Sequence, residues 1–293
     1  MSERLEYSII IPYFNDDLSE VLDAIDESYK SCFTSANVSL NVVCVNNAGK
    51  EFVPIKKYSF ELSMINETEN INSPYSARNR GLESSDSDWY IFLDATCFPA
   101  SEWLRSINEF KNNNIYAANI EFYHKGKRTI GDIYDSIVNI NNQKKIEHSG
   151  VATTACLAVS KETVNNVGLF KEGVRSGGDI LWTSRATSLG FNIVFLSDWK
   201  VRKASRDTKN LLKKQFRVAA GWFNIWKVNG VLMSNLTKRL LLFFLPPNPF
   251  FLLRQSKMRN IKLSAYDKYR VFVFGWLLRI VSMVGIVYGI FKK

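Results

Sequence analysis

Trp89 to Leu93, WYIFL, form an unbroken apolar and aromatic run that stops on a carboxylate, Asp94. An alternating pattern would mark a strand with one wet face, whereas a continuous run marks a strand covered on both faces, as at the centre of an α/β sheet. Ser101 precedes Glu102, Trp103 and Leu104 as a helix N-cap, so residues 94–100 read as the loop at the carboxyl end of a central strand. Ligands of open α/β sheets bind at that edge.

The surrounding sequence repeats this alternation. Tyr7 to Pro12 reads as a buried strand, followed by the polar Asn15-Asp16-Asp17 and a helix near 18–31. Val38 to Val45 is a second strand, closed by the turn residues Asn46-Asn47-Ala48-Gly49. Further strands are predicted at 60–66, 115–122, 151–159 and 192–196, with helices at 75–84, 101–113 and 179–189, the last stopped by Gly190. The expected fold class is α/β, a mostly parallel central sheet flanked by helices.

Charge divides the chain. Residues 1–199 hold 18 Lys and Arg against 26 Asp and Glu, while 200–293 hold 20 against Asp207 and Asp267 alone, about −8 and +18. The expected domains are therefore a mildly acidic body over 1–205 and a basic segment over 206–293 that meets something anionic. Within that segment, 207–227 places Leu211, Leu212, Phe216, Ala219, Ala220 and Phe223 at helical spacing between Lys209, Lys213, Lys214 and Arg217. This is the pattern of a basic amphipathic helix. The run 240–253 is interrupted by Pro246, Pro247 and Pro249 and is too short to span a bilayer, so it reads as re-entrant or interfacial. The run 271–291 is long enough, but Arg279 near its centre would cost roughly 2.5–3.5 kcal/mol there. Lys268 and Arg270 before it and Lys292 and Lys293 after it give no orientation, and an in-plane or shallow helix is expected. A buried helical subdomain or oligomer interface is the bland alternative. Nucleic acid would account for the charge but not for the apolar runs, so no nucleic-acid partner is expected; an anionic membrane surface accounts for both.

Cys32, Cys44, Cys97 and Cys156 lie far apart without a CxxC pair, which indicates neither a zinc site nor a disulfide framework. The start, MSERLEYSIIIP, lacks the form of a secretory signal, and the Asn-x-Ser/Thr matches at Asn37, Asn66 and Asn235 read as chance. His124 and His148 have no metal-ligand spacing.

Three stretches, YSIIIPYFN at 7–15, SARNRGLESSDSDWYIFLDATCFPASEWL at 76–104 and GGDILWTSRATSLGF at 177–191, resemble in order and spacing the family 2 inverting glycosyltransferases of the GT-A fold. The resemblance covers roughly residues 5–220. It implies a nucleotide-sugar donor, whose diphosphate departs only when its growing charge is compensated by a divalent cation or by fixed basic groups. The family's Asp-x-Asp handles the ribose and the metal; here Asp94 matches the first position and Thr96 stands at the second. A hydroxyl is a poor replacement for a carboxylate ligand of Mg²⁺ or Mn²⁺, so the implied cation rests on Asp94. Where the family often has a metal-ligating His, in DWKVRKASR at 198–206, Lys203 or a neighbour takes the place. Asn46 stands where an Asp commonly accepts from a uracil imide.

By the same resemblance Asp179 is the catalytic base, with Arg185 in the matching downstream place, and Arg78 sits against the donor pocket. Pro12, Tyr13 and Asn15 line the nucleotide base and ribose. Without the resemblance, Asp179 reads as the N-cap of a helix beginning at Ile180, Arg78 and Arg80 as cations at a helix carboxyl half, and Tyr13 as core. The expected function is transfer of a sugar to a glycan or polyprenyl-diphosphate-linked acceptor in cell-surface polysaccharide synthesis. The expected place is the cytoplasmic face of the inner membrane. Lys203, with Arg202 or Arg206, would take over the charge on the diphosphate if no tightly held metal is used. A degenerate relative acting as a binding or scaffold subunit is the alternative.

Overall fold

A computed structural model describes residues 5–32, 38–228 and 232–291. Asn37, the first four residues of the amino-terminal stretch, and Lys292 and Lys293 lie outside the described residues. The chain folds into two compact units: Met1–Glu121 with Ile140–Lys203, and Phe122–Asn139 with Ala204–Lys293.

The first unit is built on β1 (Leu5–Tyr13), α1 (Ser19–Cys32), β2 (Val38–Asn46), β3 (Glu61–Asn66), α2 (Pro74–Glu83), β4 (Trp89–Leu93), β5 (Cys97–Pro99), a 3₁₀ stretch (Trp103–Glu109) and β6 (Asn114–Tyr123). The second unit interposes α3 (Ile130–Val138), after which α4 (Asn142–Ser149), β7 (Cys156–Ser160), α5 (Lys161–Val167), α6 (Gly178–Ser188) and β8 (Asn192–Ala204) complete the first. The sheet runs in the order β3-β2-β1-β4-β7-β6-β8-β5. Its first four strands are parallel, with Ile9 opposite both Val42 and Ile91; β4–β7, β6–β7 and β5–β8 are antiparallel. Mixed sheets of this kind put βαβ units at one edge and hairpin-like pairings at the other.

The continuous runs are buried as the two-faced reading requires: Ile9, Ile10, Ile11, Ile91, Phe92 and Leu93 are all fully buried. Each such side chain contributes roughly 1.5–3 kcal/mol by leaving water. The helix predicted over 101–113 is instead the short 3₁₀ stretch, and Glu102 rather than Ser101 precedes it, with no side-chain cap. The carbonyl of Ser101 accepts from Ser31 Oγ, which ties the segment to α1 instead of starting a helix. Trp103 stacks on Trp199 with ring centroids 5.5 Å apart, so this segment is fixed by aromatic packing.

The second unit adds α7 (Thr208–Val228), α8 (Leu232–Phe244), α9 (Pro249–Met258) and α10 (Ala265–Phe291). A boundary at 205 assigns 122–139 to the first domain, but α3 packs with the second unit. The reason is apolar: Ile133 and Ile137 join Leu252 and Val271 in one buried cluster. Lys209, Lys213 and Arg217 lie exposed at four-residue intervals along α7, while Leu211 and Ala219 are buried. α10 packs on α7 through small residues: a Cβ on Gly289 would meet Ala220 O at 2.3 Å, and one on Gly285 would meet Phe216 O at 2.7 Å. Glycine at i and i+4 lets two backbones approach that closely.

The 240–253 run divides at its prolines. α8 ends at Phe244, and α9 starts at Pro249, capped by Asn248 Oδ1, which accepts from Phe250 N at 2.9 Å. Pro246 and Pro247 have no N–H to continue the ladder, so the last carbonyls of α8 need other donors. Arg279 donates to Leu242 O at 2.9 Å and to Leu245 O, and Trp276 Nε1 donates to Phe243 O at 3.2 Å. The arginine in the middle of the most apolar helix is thus the cap of its neighbour. α10 is also the one helix among the described residues long and apolar enough to cross a membrane. It buries Val271, Phe274, Leu278 and Ile286 and leaves Trp276, Leu277, Ile280, Val284 and Phe291 exposed.

Candidate active site

The loop after β4 is a tight turn, with Cys97 N donating to Asp94 O at 2.8 Å. It leads directly into β5, whose pairing with β8 sets Cys97 opposite Lys203. In β8 Trp199, Val201 and Lys203 are buried while Arg202 between them is exposed, so the strand's alternation carries the lysine inward. Its ammonium donates to Asp94 Oδ2 at 3.1 Å, Thr96 Oγ1 at 2.6 Å and Cys97 Sγ at 3.4 Å. Cys97 is therefore a partner of the lysine within the turn.

Arg78 reaches the same carboxylate from α2, which starts at Ser73, whose hydroxyl accepts from Ser76 N, with Pro74 in its first turn. The guanidinium turns back to Pro74 O at 3.1 Å and donates to Asp94 Oδ1 at 2.8 Å. It is 2% exposed, so it does not serve as a surface cation at the helix end. Arg80 takes that part, beside Glu67, Glu69 and Glu83. Each oxygen of Asp94 thus faces one buried cation, and the cluster of Asp94, Arg78 and Lys203 carries one positive charge in excess. Nε of Arg78 is buried without a hydrogen-bond partner.

Asp179 lies in the first turn of α6. The N-cap is Gly177, with φ 82°, so the carboxylate is not the cap itself. Its Oδ1 accepts from Tyr75 OH and from Ile180 N, each at 3.0 Å, while Oδ2 has no hydrogen bond among the described residues. Gly178 permits this approach: a Cβ there would lie 2.6 Å from the Tyr75 ring. Burial first, and then the charge of Asp179, push the Tyr75 phenol above its ordinary range, so it stays protonated and donating. Burial lowers the pKa of Lys145 on α4, and the Asp179 charge opposes that shift. The Arg78 guanidinium stands 5.6 Å from the Tyr75 ring centroid. Tyr75 therefore joins the Asp94 cluster to Asp179. Sequence reading misses it, although its i,i+3 spacing to Arg78 on a helix is a usable signal.

The remaining expected residues gather at the carboxyl ends of β1 and β2, where they hold the next loop. Asn46 Nδ2 donates to Gly49 O at 3.1 Å and its Oδ1 accepts from Gly49 N at 2.9 Å. The amide expected to read a base edge closes its own turn. Asn15 Oδ1 accepts from Lys50 N at 2.8 Å, and Tyr13 OH from Phe52 N at 3.4 Å. Pro12 and Tyr13 are buried, Asn15 is exposed. Arg185 donates to Leu169 O, and Arg206 belongs to the second unit, where it pairs with Asp135 at 3.3 Å. His124 and His148 are exposed. Among the described residues no three His, Cys, Asp or Glu side chains come together as a metal-ligand group.

The glycosyl transferase family 2 model matches residues 8–163, which include most of β1, α2, the Asp94 turn and β7. Glycosyltransferase AglE of Haloferax volcanii is 29% identical over 95% of this chain and 94% of its own. Among solved structures, mannosyltransferase PcManGT from Pyrobaculum calidifontis, in complex with GDP-Man and Mn²⁺, aligns over 100% of this chain and 89% of its own at TM-score 0.61 and 14% identity. Residues 1–349 of S. aureus TarS, in complex with UDP-GlcNAc, align over 96% and 92% at TM-score 0.52 and 14% identity. These likenesses identify the fold as GT-A. With the family match spanning more than half its length, the chain belongs to glycosyl transferase family 2, enzymes that transfer a sugar from a nucleotide-sugar donor.

Proposed function

We propose that the enzyme transfers a hexosyl residue with inversion to a lipid-linked glycan, at the cytoplasmic face of a membrane, and that Arg78 and Lys203 do the work a divalent cation would do. The observation that carries the reading is the doubly paired Asp94. A Mn²⁺ or Mg²⁺ ion needs free carboxylate oxygens, and both oxygens of Asp94 already face cations, with Thr96 as a hydroxyl beside them. These residues do not fit a tightly held metal. They fit an anion: the excess positive charge attracts the donor diphosphate. At 4 Å each unit charge pair is worth about 4 kcal/mol at an effective dielectric constant of 20. Lysine acts there as a point charge and arginine as a fork.

In the transfer step the acceptor oxygen bonds to the anomeric carbon from the face opposite the leaving group. Its proton passes to Asp179 Oδ2, and the nucleoside diphosphate departs with the bonding electron pair. Tyr75 and Ile180 N hold the other oxygen of Asp179 and so aim the free one. The lipid-linked acceptor and the membrane surface rest on the second unit: an excess of Lys and Arg, and an apolar face of α10 left exposed. Asp179→Asn should lower transfer by about 10³-fold or more while leaving donor affinity within a factor of two, as expected when a general base is removed. Anomeric configuration of the product, followed by NMR, tests inversion. Comparable turnover in the Asn variant, or retained configuration, would remove the assignment.

A further inference from the structure

Two arginines of the second unit have no part in the chemistry at Asp94 and Asp179. Arg239 of α8 and Arg279 of α10 both line a cavity of about 420 Å³, together with the apolar Val138, Phe251, Leu252 and Leu278. The polar groups lining it include Gln215 and Ser282, but no carboxylate. The four acids of the unit are engaged elsewhere: Asp132 with Thr129 and Ser205, Asp135 with Arg206, Asp207 with Asn210, and Asp267 with Ser264 and Arg270. Arg239 has no ion pair among the described residues and stands over the Trp222 ring, 4.2 Å from its centroid. Arg279 spends one nitrogen on the α8 carbonyls, and a guanidinium has donors to spare.

Two guanidiniums in one half-buried cavity repel each other. Burial and then the Arg279 charge accordingly hold Arg239 below the ordinary arginine range. A fold that keeps such a pair leaves a place for an anion. The rest of the lining determines what else the anion carries: beside the polar groups it presents Val138, Leu211, Phe251, Leu252 and Leu278, and Leu240 and Leu241 on α8 and Phe250 on α9 are exposed. We propose that this cavity binds the phosphate or diphosphate head of an isoprenoid-type lipid, with Arg239 and Arg279 as its cationic contacts. This rests on the lipid-linked acceptor of the proposed function and names the residues that hold its head.

The test is calorimetric titration of the full chain in mild detergent with farnesyl diphosphate, farnesol and inorganic pyrophosphate. Saturating UDP and GDP keep the donor site occupied. Farnesyl diphosphate should bind, farnesol should bind at least tenfold more weakly, and Arg239→Gln should weaken the diphosphate at least tenfold without changing nucleotide binding. Arg239→Lys, which keeps the charge, should retain most of the affinity. Pyrophosphate bound as tightly as farnesyl diphosphate and lost in Arg239→Gln would assign the pair to free phosphate groups and overturn the lipid. Wild-type protein that binds no farnesyl diphosphate, or a folded Arg239→Gln that binds it unchanged, overturns the site. Asp179→Asn separates this from the catalytic reading, since it should lose transfer and still bind farnesyl diphosphate.

Discussion

Asp94 follows the apolar central strand and is tied from two directions by charges distant in sequence. Lys203 is 109 positions distant and Arg78 is 16. The two oxygens of Asp94 bracket two cations, one each. Tyr75 has the corresponding part for Asp179. Tyr75→Phe keeps the ring under Gly178 and removes only the hydroxyl, so the fold should stand. With Asp179 Oδ1 then held by Ile180 N alone, kcat should fall about tenfold, less than the roughly 100-fold that a 1 Å misplacement can cost, with the donor KM unchanged. Steady-state kinetics checks this, and an equal rise in KM would point to packing. The places of Asp94 and Asp179 in the fold are legible in the sequence because each sits at a recognisable junction, one where an apolar strand meets its loop and the other where a glycine pair meets its helix. Tyr75 is not, since its partner lies 104 residues on. For Asn46 the local turn accounts for one donor and one acceptor of the amide, both spent on Gly49.

At the scale of elements, what sequence shows depends on how each strand is covered. β1, β2 and β4 are read nearly to the residue because burial on both faces writes a continuous apolar run. β8 is read only as 192–196, since beyond that point it alternates Trp199, Val201 and Lys203 with charged residues. β5, three residues ending in proline, has no period to detect. α3 was open to prediction from Thr129-x-x-Asp132, which forms a capping box in which Asp132 Oδ2 accepts from Thr129 N at 2.8 Å. Burial alone would raise the pKa of Asp132, but hydrogen bonds from Thr129 and Ser205 outweigh it and hold the carboxyl below its ordinary value. A depressed native pKa stabilises above the unfolded value, near 3.9, and is lost as pH falls through the native one. Asp132→Asn should therefore lose about 1–2 kcal/mol at pH 7. The deficit should shrink below about pH 4. Denaturant melts at pH 7 and pH 3 measure it, and a deficit independent of pH would contradict the box.

At the scale of the whole molecule, charge divides between the two units. The unit holding Asp94 and Asp179 draws on the acidic part of the sequence, and the unit holding α7 to α10 on the basic part. The intervening α3, recruited from 122–139, shows why a charge boundary is not a fold boundary: apolar contacts decide membership. On anionic vesicles the chain should float with the lipid, and on zwitterionic vesicles much less. Raising salt from 0.05 to 0.5 M should release part of it, as expected for screened surface charge. Flotation indifferent to lipid charge would leave the exposed face of α10 as the only anchor. The most direct measurement of the central claim is turnover of the purified chain on its nucleotide-sugar donor with excess chelator, then with Mn²⁺ added back. If Arg78 and Lys203 compensate the diphosphate, turnover persists in chelator and changes less than about twofold on adding Mn²⁺, while Lys203→Met loses it. Turnover abolished by chelator and restored by Mn²⁺ would contradict the claim.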